Sequence, residues 1–387
     1  MRALKRIVIL CLTVFAMVVL TSCEAEKSHQ KTTEKMTVQI AVMGNPEDFY
    51  ASYLDGIVAA TADIQKEYAD TGYLFEVDFF NDESNYEEGM KIADQLLNND
   101  DLIAVIGSRN MEISSGTAHI FDEYGKVFIA PYYMYDSVCA DNYYDFVFSM
   151  CSSAESTGIL LRKAAEQGNA RKWAACYTTR EFEREEMVGF VNYPGYNTEI
   201  VDCVSIDEIM RDFDTVYEKW KLLGVEGVAF FVKELEGHSV LKKLKERNPN
   251  LLCAGDILFD DSLMMEADEA FETAMKNFII ADAFYLDEND EKENQKVDEI
   301  AQTYLREKGV RIDYWYLQGY NAVRMLCDTV VKNKTTDPKA IAEALHANGY
   351  DGLMQKFQFD VRGVQTKVPD YYHIYTPEGT WKKYIAR

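Results

Sequence analysis

Strand-like apolar segments alternate with helix-length segments along most of the chain, and this alternation limits the possible folds more than any other feature. A first series of strands reads "TVQIAVMG", "YLFEVDFFND", "DLIAVIGS" and "KVFIAPYY", with helical segments at 50–66, 86–97 and 111–124. Strands that alternate with helices build parallel sheets through right-handed crossovers. This part of the chain is therefore predicted to form a doubly wound α/β lobe.

A second series of the same kind follows residue 150. Its strands read "KWAACYTT", "TEIVDCVS", "GVAFFV" and "NLLCAGD", separated by helix-length segments near 181–192, 208–223 and 235–247. Two series predict two lobes, and ligands of such sheets bind beyond the carboxyl ends of the strands. We therefore expect a site in the cleft between the lobes, formed by the residues that follow each strand: Phe49, Tyr50, residues 107–112, residues 132–135, Phe182, Lys233, Glu234 and Asp256.

The first 36 residues predict export and a membrane anchor made of lipid. A basic start precedes an apolar run from Ile7 to Leu20, which is too short to span a bilayer of about 30 Å as a helix. The segment "LTSC" resembles the lipobox of bacterial lipoproteins, in which the signal, here 1–22, is cut before the cysteine, here Cys23, and lipid is attached to it. The alternative is an ordinary signal with an incidental cysteine. The polar segment 23–36 is expected to be a flexible tether in an extracytoplasmic, lipid-anchored protein.

The composition indicates an acidic, well-packed globular protein. Hydrophobic residues make up 48% of the chain and aromatic residues 13%. The formal net charge is -25 and becomes more negative when the basic residues of the predicted signal are removed. A surface of this charge repels nucleic acid and anionic lipid, so we exclude nucleic-acid partners.

The cysteines leave two alternatives open. An even number remains after the predicted cleavage, in addition to the lipidated one: Cys139, Cys151, Cys176, Cys203, Cys253 and Cys327. Outside the cytoplasm they permit disulfides, whereas the apolar contexts "WAACY" and "NLLCAG" favour buried free thiols. No Cys/His spacing suggests zinc, and no metal or other cofactor is expected.

Several motifs follow one another in a distinctive order. After the signal come "IAVMG", "FFNDESNYEEGMKIADQLLNNDDLIAVIGS", "YGKVFIAPYY" and "YWYLQGYNAVRML", and then "ALHANGYDGLMQKFQFDVRG" and "YYHIYTPEGTWKK". In this order and spacing they resemble the type I periplasmic binding proteins of the branched-chain amino acid (Leu/Ile/Val) transport group. The single motifs are loose, but the resemblance covers nearly all of the mature chain.

The resemblance implies two α/β lobes joined by three hinge strands, a ligand clamped between them, and delivery of that ligand to the permease subunits of an ABC importer. It places 37–149 plus 283–351 in the N-terminal lobe and 150–282 plus 352–387 in the C-terminal lobe. The turn sequence Pro377-Glu378-Gly379 is expected to close a hairpin. We expect the protein to be a monomer.

The ligand-binding loop after the third strand departs from that family. Its members offer a small hydroxyl residue and backbone N–H groups at a helix start, which grip the α-carboxylate of an amino acid. Here Met111 and Glu112 stand at that place, preceded by Arg109 and Asn110, and a carboxylate there would repel a carboxylate ligand. Arg109 either restores the grip as a bidentate partner or pairs with Glu112. Two hydroxyl residues one turn further on, at 114 and 115, are interpreted as helix-surface or core-edge residues.

The loop after the fourth strand departs as well. Where relatives have a small residue and then a Thr, this chain reads Tyr132-Tyr133-Met134-Tyr135, so that aromatic bulk replaces a hydroxyl. The alternative role of this segment is hinge and core packing.

The remaining family positions look retained. Phe49, followed by Tyr50, and Phe182 match aromatic residues of the family, and Asp256 matches the acid that receives the ligand ammonium. An acid facing aromatic walls suits a cation. The alternative for Asp256 is a solvated loop acid or a helix cap.

These observations predict a solute-binding protein that captures an amino acid, amine or amide-like ligand for an ABC importer. The alternative is a ligand-sensing regulatory lipoprotein of the same fold that acts on a receptor or a cell-wall enzyme. An enzyme is not expected, because no G-x-S-x-G, no H-E-x-x-H and no phosphate-binding Gly loop is present and the five histidines are scattered. The segment "DENDEK" at 287–292 is interpreted as a solvated acidic loop, since Lys292 occupies the position where an EF-hand loop requires Gly.

Overall fold

The computed structural model describes residues 35–47, 52–135, 138, 142–232, 234–256, 273–281, 295–309, 312–367, 371–379 and 381–386. Several sequence predictions lie outside these residues: the signal with Cys23, Phe49, Tyr50, Lys233, Cys139 and the acidic segment 287–292.

Strands and helices alternate through most of the described chain. The strands are β1 (Met36–Met43), β2 (Tyr73–Phe80), β3 (Leu102–Ile106), β4 (Val127–Ala130), β5 (Val147–Ser149), β6 (Lys172–Tyr177), β7 (Glu199–Ser205), β8 (Gly227–Phe231), β9 (Leu252–Asp256), β10 (Phe278–Ala281), β11 (Tyr350–Asp351), β12 (Lys356–Phe357), β13 (Tyr371–Tyr375) and β14 (Trp381–Ile385). The helices are α1 (Ser52–Glu67), α2 (Tyr86–Leu97), α3 (Met111–Glu123), α4 (Ala154–Gln167), α5 (Glu181–Asn192), α6 (Ile206–Arg211), α7 (Phe213–Leu223), α8 (Glu234–Arg247), α9 (Gln295–Lys308), α10 (Tyr314–Asn333) and α11 (Pro338–Asn348).

The long strands form two mainly parallel sheets. The first has the order β2-β1-β3-β4-β5, and all its pairs are parallel. The second has the order β14-β13-β10-β9-β8-β6-β7, in which β13 and β14 are antiparallel additions at one edge. The predicted α/β class with two doubly wound sheets is confirmed, as is the hairpin that turns at Gly379, where φ is +83°.

Burial explains why the central strands read as continuous apolar runs. Every residue of β3 and β4 is buried, as expected for parallel strands that are covered by helices on both faces. The long helix α10 is buried over most of its length and packs against α1. Within the described residues, no helix combines the length and the apolarity needed to cross a membrane.

One helical segment differs from its sequence prediction, and the state of the described cysteines decides between two alternatives. The helical segment near 208–223 is two helices, because Asp212 has non-helical backbone angles and its side chain accepts from the Thr215 N–H at 3.2 Å, which starts α7. The cysteines at 176 and 253 are buried free thiols, and Cys203 is free and exposed.

Candidate ligand-binding site

The loop after β3 is held by its own side chains. Asn110 caps α3, since its side-chain oxygen accepts from the N–H groups of Glu112 at 2.9 Å and Ile113 at 3.4 Å, and its Nδ2 donates to the Ser84 carbonyl at 3.1 Å. Glu112 is exposed and Met111 packs partly against the core. Because the chain itself satisfies these first N–H groups of the helix, they have less capacity to bind a ligand carboxylate.

The two hydroxyl residues of α3 serve the loops rather than the helix surface. Ser114 is fully buried and donates to the Ser108 carbonyl at 2.6 Å. Ser115 is 5% exposed, and its Oγ accepts from the Tyr135 N–H at 2.9 Å. Of the two alternatives, helix surface and core edge, the burial of these serines favours the core edge. They tie the loop after β3 and the loop after β4 to one helix.

The loop after β4 forms an aromatic cluster. Tyr132, Tyr133 and Met134 are all at least 95% buried. The Tyr132 ring lies 4.7 Å from the ring of Trp315 and 5.1 Å from that of Tyr133, measured between centroids. Tyr133 in turn lies 4.5 Å from Phe182, which belongs to the second sheet's helix α5. The carboxyl ends of the two sheets therefore meet at this cluster.

Arg109 completes the first-sheet side of the cluster. Its guanidinium carbon lies 5.2 Å from the centroid of the Tyr132 ring, within the range of a cation–π contact. The side chain is half-buried. The aromatic face therefore already attracts one cation of the chain, which shows the kind of group that it favours.

The second-sheet side of the site contributes carboxylates. Phe182 is 2% exposed and follows Arg180, whose Nε lies 3.4 Å from a carboxylate oxygen of the buried Glu183. The pKa of Tyr135 is raised, first because burial disfavours the phenolate and then because Glu112, Glu181 and Glu183 repel it. Acids from both sheets thus create a negative potential around this phenol.

Asp256 is the last residue of β9 and is 3% exposed. In the ladder it pairs with Ala281 of β10, so the carboxylate belongs to the centre of the second sheet. Its burial argues against the alternative of a solvated loop acid. A carboxylate at this end of the sheet forms charge-assisted hydrogen bonds with cationic groups, and the ammonium group of a ligand is one such cation.

The structure brings four predicted site residues into one cluster: Arg109, Tyr132, Tyr133 and Phe182. It places Asn110, Met111, Glu112 and Met134 in the adjoining loops and Asp256 at the strand end.

Sequence reasoning missed Trp315 and Glu183. The signal for Trp315 was its place in "YWYLQGYNAVRML", but contacts between distant segments are not visible in a local pattern. Glu183 directly follows a predicted site residue. No group of three or more potential metal ligands occurs within the described residues.

Comparisons with known proteins agree with the observed fold. A family model described as periplasmic binding protein matches residues 38–373. An ABC transporter substrate-binding protein from Desulfitobacterium hafniense is 21% identical over 90% of this chain and 100% of that chain, with a TM-score of 0.76. A substrate-binding protein from the same organism in complex with Leu is 20% identical with the same coverage and a TM-score of 0.72.

A solute-binding protein from R. palustris in complex with benzoate is 15% identical over 90% of this chain and 96% of that chain, with a TM-score of 0.70. At these identities the likeness to solved structures concerns the fold. No curated protein matches the sequence.

Proposed function

The chain belongs to the periplasmic binding protein family, and from this premise we propose that it captures a small amine-bearing organic ligand between its two sheets and delivers it to an ABC importer. The family consists of solute-binding proteins rather than enzymes, in agreement with the sequence prediction. The observation that carries the proposal is the buried Asp256 carboxylate at the strand end, on the side where Tyr132, Tyr133 and Phe182 form an aromatic cluster.

The charges of this region support an amine better than a free carboxylate. Glu112, Glu181 and Glu183 surround the Tyr135 phenol, and Arg180 is engaged with Glu183. Asn110 occupies the helix N–H groups that would grip a carboxylate. An ammonium group gains from the acids and from the aromatic faces, whereas a carboxylate gains only from Arg109.

The proposal includes the arrangement of the whole chain. The lobes are 37–149 plus 283–351 and 150–282 plus 352–387, joined by three hinge strands, and Cys23 carries the lipid that anchors them outside the cytoplasm. Ligand binding favours the closed form, since only that form contacts the ligand from both sides, and the permease recognises the closed form.

A thermal-shift screen of the full-length chain in detergent tests the proposal. The compounds are amino acids, amines, amides, nucleobases and aromatic acids, and a ligand at 100 times its Kd adds about 2.7 kcal/mol to the free energy of unfolding. We expect an amine to stabilise the protein, Asp256→Asn to abolish this shift, and the exposed Asp207→Asn, a control on α6, to keep it.

Two results would contradict the proposal. Stabilisation by leucine, isoleucine or valine that persists in Asp256→Asn would mean that Arg109 or backbone donors supply the usual amino-acid grip. Stabilisation by carboxylic acids that lack an amine, with no response to amines, would assign the cleft to anions.

A further inference from the structure

A groove apart from the candidate cleft lies between α1 and α9, with α10 as its floor. Its volume is about 700 Å³, within the range of about 300–1,000 Å³ typical of small-molecule sites. Ala59 and Ala62 line it from α1, and Tyr316 and Tyr320 line it from α10. None of its lining residues belongs to the cleft described above.

Both walls of the groove are acidic. Asp63 and Glu67 line it from α1, Glu299 and Glu307 line it from α9, and Lys66 is the one cationic residue among its described lining residues. Because a helix rises 1.5 Å per residue, the two carboxylates of α9 are separated by about 12 Å along the helix. Acids spread over this distance do not converge on a single metal ion, but they match charges distributed along an extended molecule.

One tyrosine that lines the groove has a hydroxyl with no hydrogen-bond partner among the described residues. Tyr320 donates to Asp63 at 2.6 Å, and the neighbouring Tyr304 donates to Asp55 at 2.8 Å. Tyr316 is 3% exposed, and among the described residues no group forms a hydrogen bond with its hydroxyl. Burial first, and then the carboxylates of Asp55, Asp63 and Glu307, raise its pKa to about 12, so the hydroxyl stays protonated.

The Tyr316 hydroxyl is therefore available to a polar group of a ligand that enters the groove. A phenol oxygen accepts a hydrogen bond from an ammonium group, and the carboxylates near the Tyr316 hydroxyl attract the same charge. The methyl groups of Ala59 and Ala62 supply an apolar surface between the charged positions.

One acidic residue that lines the groove, Glu67, already pairs with a cation of the chain. Arg324 donates to Glu67 at 2.7 Å and lies 3.0 Å from a carboxylate oxygen of Asp328, with its guanidinium 5.6 Å from the centroid of the Tyr68 ring. Carboxylates and an aromatic face thus bind a long side chain with an apolar stem and a cationic end. The rest of the groove presents the same combination of groups.

We propose that the α1–α9 groove is a second binding site, independent of the cleft, for an elongated organic polycation of the polyamine class. Its ammonium groups pair with Asp63, Glu299 and Glu307 and donate to the Tyr316 hydroxyl, and its methylene chain lies on Ala59 and Ala62.

Isothermal titration calorimetry of the full-length chain in detergent with spermidine tests this site. We expect saturable binding that is weakened about tenfold or more by Glu299→Gln/Glu307→Gln, because the variant removes two of the carboxylates that pair with the ammonium groups. Tyr316→Phe keeps the ring and removes the hydroxyl, and it should also weaken binding. The matched control is Glu123→Gln/Glu246→Gln, which removes the same charge from two exposed helix positions outside the groove.

The remaining outcomes overturn the proposal. Absence of spermidine binding does so directly, and an equal loss in the control variant would show attraction by net charge alone. Loss of binding in Asp256→Asn with full binding in the groove variants would move spermidine to the cleft. Binding of a lysine-rich peptide but not of spermidine, sensitive to Glu299→Gln/Glu307→Gln, would make the groove a protein-docking surface.

Discussion

Glu166 illustrates how a single side chain fixes a loop in this protein. Its carboxylate accepts from the N–H groups of Tyr196 at 3.1 Å, Asn197 at 2.7 Å and Thr198 at 3.1 Å, and also from the Thr198 hydroxyl. Burial acts to raise the pKa of Glu166, but these hydrogen bonds and the charge of Arg162 outweigh it and lower the pKa. The carboxylate therefore fastens the loop between α5 and β7 to the end of α4.

Replacing this carboxylate by an amide should destabilise the protein in a pH-dependent way. Glu166→Gln removes one acceptor oxygen and the charge, and we expect a loss of about 2 kcal/mol in the free energy of unfolding at neutral pH. Because the pKa of Glu166 is lower in the folded state, the ionised carboxylate stabilises the protein above the unfolded-state pKa of about 4.3. This stabilisation is lost as the pH falls through the folded-state pKa. The difference between the two proteins should therefore shrink below about pH 4 in urea unfolding curves followed by circular dichroism.

The control for this experiment is Glu218→Gln. Glu218 pairs with Lys221 on an exposed helix face, with 59% of its side chain exposed, so its removal should change stability by less than about 1 kcal/mol. A difference between Glu166→Gln and the parent protein that stays constant with pH would show that the carboxylate's charge contributes nothing. The sequence could not reveal this contact, because the residues that donate to Glu166 lie far along the chain.

At the scale of helices, reciprocal glycines set two close crossings. A Cβ atom at Gly56 of α1 would lie 2.0 Å from the Tyr316 carbonyl of α10, and one at Gly319 of α10 would lie 1.9 Å from the Tyr53 carbonyl of α1. Gly158 and Gly189 form the same arrangement between α4 and α5, with backbone oxygens at 1.9 and 2.1 Å. Each of these two helix pairs thus contains a close backbone-to-backbone contact that the methyl group of an alanine would prevent.

Gly319→Ala should therefore destabilise the protein although alanine favours helices. The higher helix propensity of alanine adds about 1 kcal/mol to the free energy of unfolding. Overpacking against a backbone carbonyl lowers it by about 1–3 kcal/mol or more, because the carbonyl cannot rotate away as a side chain can. We expect a lower midpoint in thermal and urea unfolding.

Gly116→Ala is the matched control within α3. The atoms nearest to a Cβ there all belong to the ring of Tyr86, which is 45% exposed and can turn aside. This variant should be as stable as the parent protein or more stable. Equal stability of both variants would refute the idea that backbone contact at Gly319 sets the distance between α1 and α10.

The sequence predicted most elements and few of their contacts. The helices 86–97 and 181–192 have the expected bounds, because both are amphipathic segments between clear strand and turn signals. The division at Asp212 was missed, since an aspartate inside a helical pattern is compatible with either a surface position or a cap.

At the scale of the whole molecule, the aromatic cluster joins two separately wound sheets. Tyr133 follows a strand of the first sheet, Phe182 lies on a helix of the second, and one connected hydrophobic core includes both. The position of the candidate site at the carboxyl ends of parallel strands follows from topology, whereas the side chains that line it come from distant parts of the chain.

The proposed lipid anchor also concerns the whole molecule, and it has a direct test. If Cys23 is the lipidation site, Cys23→Ala should move the protein from the membrane fraction to the released fraction without changing the melting temperature of its folded body. Labelling with a radioactive fatty acid, followed by fractionation of producing cells, measures this. Retention of the variant in the membrane fraction would count against lipidation at this residue.

The sequence by itself determined the α/β class, the two parallel sheets and the strand ends at which a ligand can bind. These follow from local periodicity and from the general rules of parallel sheets, which need no knowledge of particular contacts. Only the tertiary structure decided that Trp315 covers Tyr132, that Ser114 and Ser115 bind loop backbones, and that the α1–α9 groove exists. Such contacts depend on how distant segments pack, and packing is a property of the assembled chain rather than of any one segment.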